Sequence, residues 1–319
     1  MIYTLTLNPA LDIHMQFDNP QLGTLNRAKK VRYAPSGKGI NVSSALAAQG
    51  IASTAIVPLG GPIGNMLEAM LRDVSYDLDI IPVRGETRAN TKVIDEQGIL
   101  SEFNGAGAAL SEHELSSCFE RFDKLKTGDV VILSGSLPPG VPSDLYADMT
   151  KQARTRGAMV ILDASGQALI AGLGAKPLMV KPNKLEAEEL FGKVINTYHE
   201  ALAAARTIQG MGVETVILSL EDKGAIFLTH PENQAEQVFL AIPPQVTAVT
   251  PSGAGDSMLA ATLYGLGQNW SWQKIAQHAT ATATARVSSS EGFPGLAQIA
   301  AQSDKVTVLA EQDFPQTSL

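Results

Sequence analysis

Val130-Val131-Ile132-Leu133-Ser134-Gly135-Ser136 decides how this chain is read. Four consecutive apolar residues leave no polar face, so a strand built from them needs cover on both sides, as in a parallel sheet. The run stops at serine and glycine, the composition of a turn. The same pattern recurs at Met159 to Leu162 before Asp163-Ala164-Ser165-Gly166, and at Leu178 to Val180 before Lys181-Pro182-Asn183. It recurs once more at Thr215 to Leu220, closing on Ser219-Leu220-Glu221. Helix-like stretches separate several of these runs, among them Leu185 to Phe191 and His199 to Met211. Alternation of buried strands with helices predicts a doubly wound, mostly parallel α/β layer. Ligands of such layers sit beyond the carboxyl ends of the strands, so these polar turns are where chemistry is expected.

The first ~110 residues read differently, as short strands of partly alternating polarity. These are Ile13 to Phe17, Lys30 to Tyr33, Thr91 to Ile94 and Leu100 to Phe103, with Gln97-Gly98 as a hairpin-like turn. They predict a small sheet interleaved with the main layer, formed from discontinuous segments near 13–35 and 86–105. A sheet with one polar and one apolar face beside a strand-end cleft makes a lid. It also leaves a face to cover, which predicts a homodimer through the lid. No internal repeat or linker divides the chain, and one domain over 1–319 is expected.

Composition narrows the function. Of 319 residues, 45% are hydrophobic and 18% charged, ample for a core. Thirty-two acidic against 24 basic residues give a net charge of −8, with no basic block, which argues against nucleic-acid binding. The single cysteine, Cys118, excludes a disulfide framework and a multi-cysteine zinc site, and the five scattered histidines show no ligand spacing. The N-terminus lacks a signal pattern and no long apolar run suggests a membrane span. A soluble, cytoplasmic protein without membrane or nucleic-acid partners is expected.

Pro251-Ser252-Gly253-Ala254-Gly255-Asp256-Ser257, followed by a helical Met258 to Leu266, is the strongest chemical signal. Gly253 and Gly255 let backbone amides converge, and at a helix N-terminus those amides and the helix dipole hold an anion. Asp256, in the first turn, would reach a hydroxyl held beside that anion. Amides for a transferring charge and a base for an attacking hydroxyl are what phosphoryl transfer needs. The structural alternative is a glycine turn with Asp256 as a helix cap.

A second signal, Ser36-Gly37-Lys38-Gly39-Ile40-Asn41, opens a helix running Val42 to Gln49. Lys38 and Asn41 add a cation and an amide near a backbone opened by Gly37 and Gly39. The loop is not a P-loop: Gly39 follows the lysine where Ser or Thr is required, and Arg32 stands where the first glycine belongs. Gly253 onward fails the dinucleotide fingerprint because Met258 takes its last glycine position, and Ser134-Gly135-Ser136 lacks the frame of a nucleophile elbow. Asp12 follows the first strand and suits a sugar hydroxyl, or a turn cap. Arg88, Asn90 and Lys92 alternate and so share a strand face that suits a phosphate, or solvent. Asn183 and Glu186 follow a strand end, and Glu186 suits Mg²⁺ through water, or an ordinary helix start.

Taken together these motifs resemble the PfkB (ribokinase-like) carbohydrate kinase family, over nearly the whole chain and in the family's order. Thr4-Leu5-Thr6-Leu7-Asn8-Pro9-Ala10-Leu11-Asp12 comes first, then Gly37-Lys38-Gly39-Ile40-Asn41-Val42. Ser134-Gly135-Ser136-Leu137-Pro138-Pro139-Gly140, Lys181-Pro182-Asn183 and Gly253-Ala254-Gly255-Asp256-Ser257 complete the set. The opening motif, the Gly37 loop and Arg88-Ala89-Asn90-Thr91-Lys92 are similar to the hexose-phosphate kinases of the family.

The resemblance implies ATP-dependent phosphorylation of a ketohexose phosphate. Fructose 1-phosphate is the expected acceptor, with tagatose 6-phosphate and fructose 6-phosphate as alternatives. It implies Asp256 as base and Gly253, Ala254 and Gly255 as anion hole. Asp12, Gly37, Lys38, Asn41, Arg88, Asn90 and Lys92 would bind the sugar and its phosphate. Lys181, Asn183, Ser219, Glu221, Gly224, Ser290 and Gly292 would line ATP, with Glu186 organising Mg²⁺. Two departures stand out: Glu221 replaces the family's glycine after Ser219-Leu220, and Pro251-Ser252 replaces Thr-Val before Gly253. An acid at Glu221 would repel a triphosphate, which keeps open a non-catalytic sugar-phosphate sensor on the same fold.

Overall fold

The computed structural model describes residues 1–319 apart from Glu232, Asn233, Pro251 and Glu291. Up to the end of the lid, the strands are β1 (Ile2–Thr6), β2 (Ala10–Gln16), β3 (Lys30–Ser36), β4 (Thr54–Leu59), β5 (Asp77–Pro82), β6 (Arg88–Ile94) and β7 (Leu100–Asn104). There follow β8 (Val130–Ser134), β9 (Met159–Asp163), β10 (Met179–Val180), β11 (Thr215–Ser219), β12 (Ala225–Thr229), β13 (Gln237–Ile242) and β14 (Thr307–Ala310). The helices are α1 (Lys38–Ala48), α2 (Gly61–Met70), α3 (Glu112–Phe122), α4 (Leu145–Thr155) and α5 (Gly166–Leu173). After them come α6 (Lys184–Phe191), α7 (Tyr198–Gly210), α8 (Ala254–Gly267), α9 (Trp272–Val287) and α10 (Leu296–Ser303).

Ten strands form the main sheet in the order β14-β13-β12-β11-β10-β9-β8-β1-β4-β5. Pairing is parallel from β11 through to β5 and antiparallel across β12, β13 and β14. The apolar runs read from sequence are the central strands, and their side chains alternate between two cores. Val131 and Leu133, Val160 and Leu162, and Val216 and Leu218 enter one core with Phe122 and Tyr146. Ile132, Ile161 and Ile217 enter the other, against Val42 and Leu46 of α1 and Leu259 of α8. Neither face of the layer is left to water, which is why these strands carry no polar alternation.

Two strands are shorter than expected, β10 by a residue at its start and β11 by a residue at its end. β10 is Met179–Val180 and ends where it was expected to, just before Pro182, which has no amide to continue the ladder. β11 stops at Ser219, because the Leu220 amide turns back to the Gly224 carbonyl at 2.7 Å. Conversely, α8 begins at Ala254 rather than Met258, so Gly255 and Asp256 lie inside its first turn.

The four remaining strands form the lid, in the order β3-β2-β6-β7. β2 pairs parallel with β6, while β3 and β7 pair antiparallel at the edges. Gly98, with φ of 82°, makes the expected turn before β7, and its amide bonds the Asp95 carbonyl at 3.1 Å. Register sorts the faces. Arg32, His14, Lys92 and Glu102 form one cross-strand row, and Ala34, Asp12, Asn90 and Asn104 the next on the same face. The row between them, Tyr33, Ile13, Thr91 and Phe103, points the other way. The lid is therefore polar toward the main sheet and largely apolar outward.

Phe227 on β12 is buried in the second core. We expect Phe227→Ala to cost about 3–5 kcal/mol, through lost burial and the cavity left behind. Urea unfolding followed by circular dichroism checks this; a change under about 1 kcal/mol would contradict the two-core packing.

Candidate active site

Strands β1, β8, β9 and β10 all point the same way, so their carboxyl ends deliver Asn8, Ser136, Asp163 and Lys181 to one edge of the sheet. The lid's polar row closes over that edge. Between them lies a cleft of about 710 Å³ lined by Asp12, Lys38, Asn41, Arg88, Glu186 and Asp256 among others.

Asp163 is the electrostatic centre below the cleft. It ends β9, is 1% exposed, and carries two cations. Lys38 Nζ lies 2.9 Å from its Oδ1 and Lys181 Nζ lies 3.1 Å from its Oδ2. Burial opposes ionisation of Asp163, but Lys181 and then Lys38 outweigh it and hold the carboxyl below its usual range. Burial likewise opposes the Lys38 charge; Asp163, then Glu186 at 3.7 Å, reverse this and push its pKa above the ordinary value. Lys38 opens α1, whose Ile40 amide bonds Thr6 Oγ1 of β1 at 3.2 Å, so the helix start is fixed to a strand end.

Asp256 stands at the start of α8, 6% exposed and lining the cleft. Its Oδ2 accepts from Asn41 Nδ2 at 2.7 Å. Burial and then the like charge of Asp163 raise its pKa, Lys38, Lys181 and the Asn41 bond pull it back, and the balance falls at about 6. The helix is entered through Gly253, whose φ of 85° lies in the left-handed region that favours glycine. The Ser257 amide takes the Gly253 carbonyl at 2.9 Å, the first bond of the helix. The amides of Ala254, Gly255 and Asp256 precede that bond and meet no acceptor among the described residues. A Cβ at Gly255 would lie 2.9 Å from Lys181 Nζ, so glycine there leaves room for the ammonium beneath the amides.

The other expected residues divide into groups. Gly37, Arg88, Lys92, Ser290 and Gly292 line the cleft with those above; Glu291, between the last two, and Pro251 lie outside the described residues. Arg88 Nε and Nη2 donate to the Asn8 carbonyl at 3.2 and 3.0 Å, and Nη1 to that of Gly105 at 2.9 Å. Lys92 Nζ is 2.9 Å from Asp12 and 3.4 Å from Glu102. Asn90 is not on the cleft wall; it donates to Asp12 Oδ1 at 2.9 Å and braces it. Asn183 and Glu186 cap α6 reciprocally, Glu186 Oε2 accepting from the Asn183 amide at 2.9 Å and Asn183 Oδ1 from that of Glu186 at 2.7 Å. The helix start and the site residue are thus one arrangement, since the Glu186 side chain also lines the cleft. Ser219 bridges to Asn183 beyond it. Glu221 is exposed in the short turn Glu221–Lys223, and with Gly224 it lies off the cleft wall. The acid that suggested a sensor therefore does not narrow the cleft.

Asp163, read from sequence only as a turn, is the main residue missed. The signal was present: a carboxylate ending a fully apolar strand needs a cation. Arg286, also on the cleft wall, is the one charged residue from Ile275 to Val287 of α9, a contrast that deserved notice. Among the described residues no group of three or more His, Cys, Asp or Glu gathers as a metal site, and no helix is long and apolar enough to cross a membrane.

The profile of the pfkB family carbohydrate kinases matches residues 5–296. The 1-phosphofructokinase of Bacillus subtilis (strain 168) is 36% identical over 266 residues, 83% of this chain and 86% of that protein. The 1-phosphofructokinase of Escherichia coli (strain K12) is 33% identical over 315 residues, 96% of this chain and 97% of that protein. The crystal structure of phosphofructokinase-2 from Escherichia coli in complex with fructose-6-phosphate superposes with a TM-score of 0.87 at 31% identity. It covers 95% of this chain and 98% of that one.

Removing the central carboxylate tests the electrostatic account. Asp163→Asn leaves two ammonium groups sharing no acid between them, and we expect a loss of about 3–5 kcal/mol in urea unfolding at neutral pH. Wild-type stability would show that Lys38 and Lys181 do not depend on Asp163.

Proposed function

The chain belongs to the pfkB family of carbohydrate kinases, phosphotransferases with an alcohol acceptor, and on that footing we propose that it converts fructose 1-phosphate and ATP to fructose 1,6-bisphosphate and ADP. The observation that carries this reading is Asp256, held by Asn41 in the cleft beside the open amides of α8. Asp256 takes the proton of the acceptor hydroxyl as its oxygen forms a bond to the γ-phosphorus. The bond from that phosphorus to the β–γ bridging oxygen breaks, and ADP leaves with the electron pair. The amides of Ala254, Gly255 and Asp256 receive the charge on the phosphoryl oxygens, with the Lys181 ammonium beneath them.

Asp12, braced by Asn90 and Lys92, is the proposed hydroxyl acceptor of the sugar, with Gly37 and Asn41 on the facing wall. We assign the nucleotide to Ser290 and Gly292 on the cleft wall and to Lys181, Asn183 and Ser219 at the strand ends, with Glu221 and Gly224 in the turn beyond. Glu186 suits Mg²⁺: a single carboxylate at the cleft matches an ion that keeps its waters and takes further oxygens from phosphates. Bound there, Mg²⁺ would offset triphosphate charge. The named relatives favour fructose 1-phosphate as acceptor; fructose 6-phosphate, named with the superposed structure, and tagatose 6-phosphate are the alternatives. A cytoplasmic setting accords with substrates of this kind.

We also propose a homodimer through the lid. Its outer face exposes Val31, Tyr33 and Phe103, with Ile99 at its turn, an apolar set that a second lid would cover. Sedimentation at micromolar concentration should give twice the chain mass, and Tyr33→Asp should shift it to monomer. Monomer mass for the unmodified chain would refute the pairing.

Activity tests the main reading. A coupled ADP-release assay across fructose 1-phosphate, fructose 6-phosphate, tagatose 6-phosphate and unphosphorylated hexoses should favour the first. Asp256→Ala should lose about 10²-fold or more in kcat, the effect of removing a general base. Because the base must be ionised, kcat/KM should hold level above pH 6 and fall about tenfold per unit below it. Near-wild-type turnover in the variant, or a flat profile down to pH 5, would remove Asp256 from this role.

A further inference from the structure

Most cations of the cleft are already engaged. Lys38 pairs with Asp163 and Glu186, and Lys92 with Asp12 and Glu102. Arg88 spends its guanidinium on the carbonyls of Asn8 and Gly105. The two lysines meet a phosphoryl group only beside an acid they already hold, and Arg88, though without an acidic partner among the described residues, has three of its five N–H groups on carbonyls. Two arginines differ. Arg32, on the inward row of the lid, and Arg286, near the end of α9, both line the cleft and make no ion pair among the described residues.

Arg286 is set for a ligand in two further ways. Among the described residues its buried Nε has no hydrogen-bond partner, and its one polar contact there, Nη1 to the Ser289 carbonyl, is long at 3.5 Å. Its guanidinium lies over the Phe293 ring, 4.9 Å from the centroid, which fixes the plane without using an N–H. It also sits beside the entry to α8, since a Cβ on Gly253 would come within 3.2 Å of Nε. Burial and then the like charge of Arg32 both work against the Arg286 cation. Two guanidinium groups lining one cleft, one of them with a buried donor that no described residue satisfies, suit an anion that joins them.

We propose that Arg32 and Arg286 form a two-arginine clamp for a phosphoryl group, the lid supplying one half and α9 the other, at the mouth of the amide cluster of α8. The shared chemistry is a phosphate dianion; its source is either the γ-phosphate of ATP or the phosphate already on the acceptor. This rests on the kinase reading for its substrates, but the site itself does not require turnover. Arginine suits it because a planar guanidinium presents paired N–H groups to phosphate oxygens, which an ammonium does not.

The test is calorimetric titration of inorganic phosphate into the full-length protein, wild type against R286Q, R286K and R32Q. Each glutamine variant should weaken phosphate binding about 10- to 100-fold, the effect of losing charged hydrogen bonds, with R286K recovering only part. R32Q changes an exposed residue and carries the readout if R286Q fails to fold. Steady-state kinetics then assigns the source. A raised KM for the sugar phosphate alone places the acceptor's phosphate in the clamp, and a raised KM for ATP places the γ-phosphate there; either supports it. Phosphate affinity and both KM values unchanged in R32Q and in a folded Arg286 variant would overturn the clamp, even with the kinase fully active. A wild type that turns over no sugar phosphate, yet binds phosphate through these arginines, would instead overturn the kinase reading alone.

Discussion

Asp163 shares one buried carboxylate between two ammonium groups, and the arrangement of the cleft follows from that sharing. A carboxylate at the end of a covered strand is costly unless it is paired. Lys38 and Lys181 supply the pairing from opposite directions, one from the start of α1 and the other from the end of β10. Each lysine thereby fixes the element that carries it. α1 brings Asn41, which holds Asp256; Lys181 reaches under the first turn of α8, where only a glycine leaves it room. The helix that bears the open amides and the strand ends that face them are thus tied through a single side chain.

The topology explains why those groups meet. Parallel strands bring their carboxyl ends to one edge, and the layer gathers there residues as distant in sequence as Asn41 and Asp256. The lid adds a second constraint. Its period of two and its register send Arg32, Lys92 and Asp12 inward while Tyr33 and Phe103 face out. One small sheet therefore serves the cleft with polar side chains and leaves an apolar outer face that needs cover.

How much of this was legible depended on range. The central strands declared themselves because burial on both faces removes every polar residue from the run, and the glycine motifs because a helix start near a ligand tolerates little else. The face shared by Arg88, Asn90 and Lys92 followed from strand geometry alone. What the sequence concealed were partnerships. Lys92 reads as a free cation until Asp12 and Glu102 are placed beside it, and Asp163 reads as a turn residue until two lysines converge on it. Asn90 faces the right way yet sits behind Asp12, because register settles direction and not depth. The early start of α8 was hidden for a related reason: glycine at its entry and within its first turn lowers helix propensity at the point where an open helix end is needed.

Charge balance at Asp256 links the two lysines to the proposed chemistry. Burial and Asp163 favour the protonated acid; Lys38, Lys181 and Asn41 favour the carboxylate, and the balance falls near pH 6. A triphosphate and a sugar phosphate entering the cleft bring further negative charge, which moves that balance toward protonation. A base left to burial and anions alone would be neutral at the pH at which it must accept a proton. The ammonium pair below the cleft counters this shift, and its own charge is secured by Asp163. On this reading the lysines keep the base ionised while both phosphates are present, which is a different task from gripping a phosphate. That division leaves anion capture to the arginines of the cleft, which have no acidic partner among the described residues.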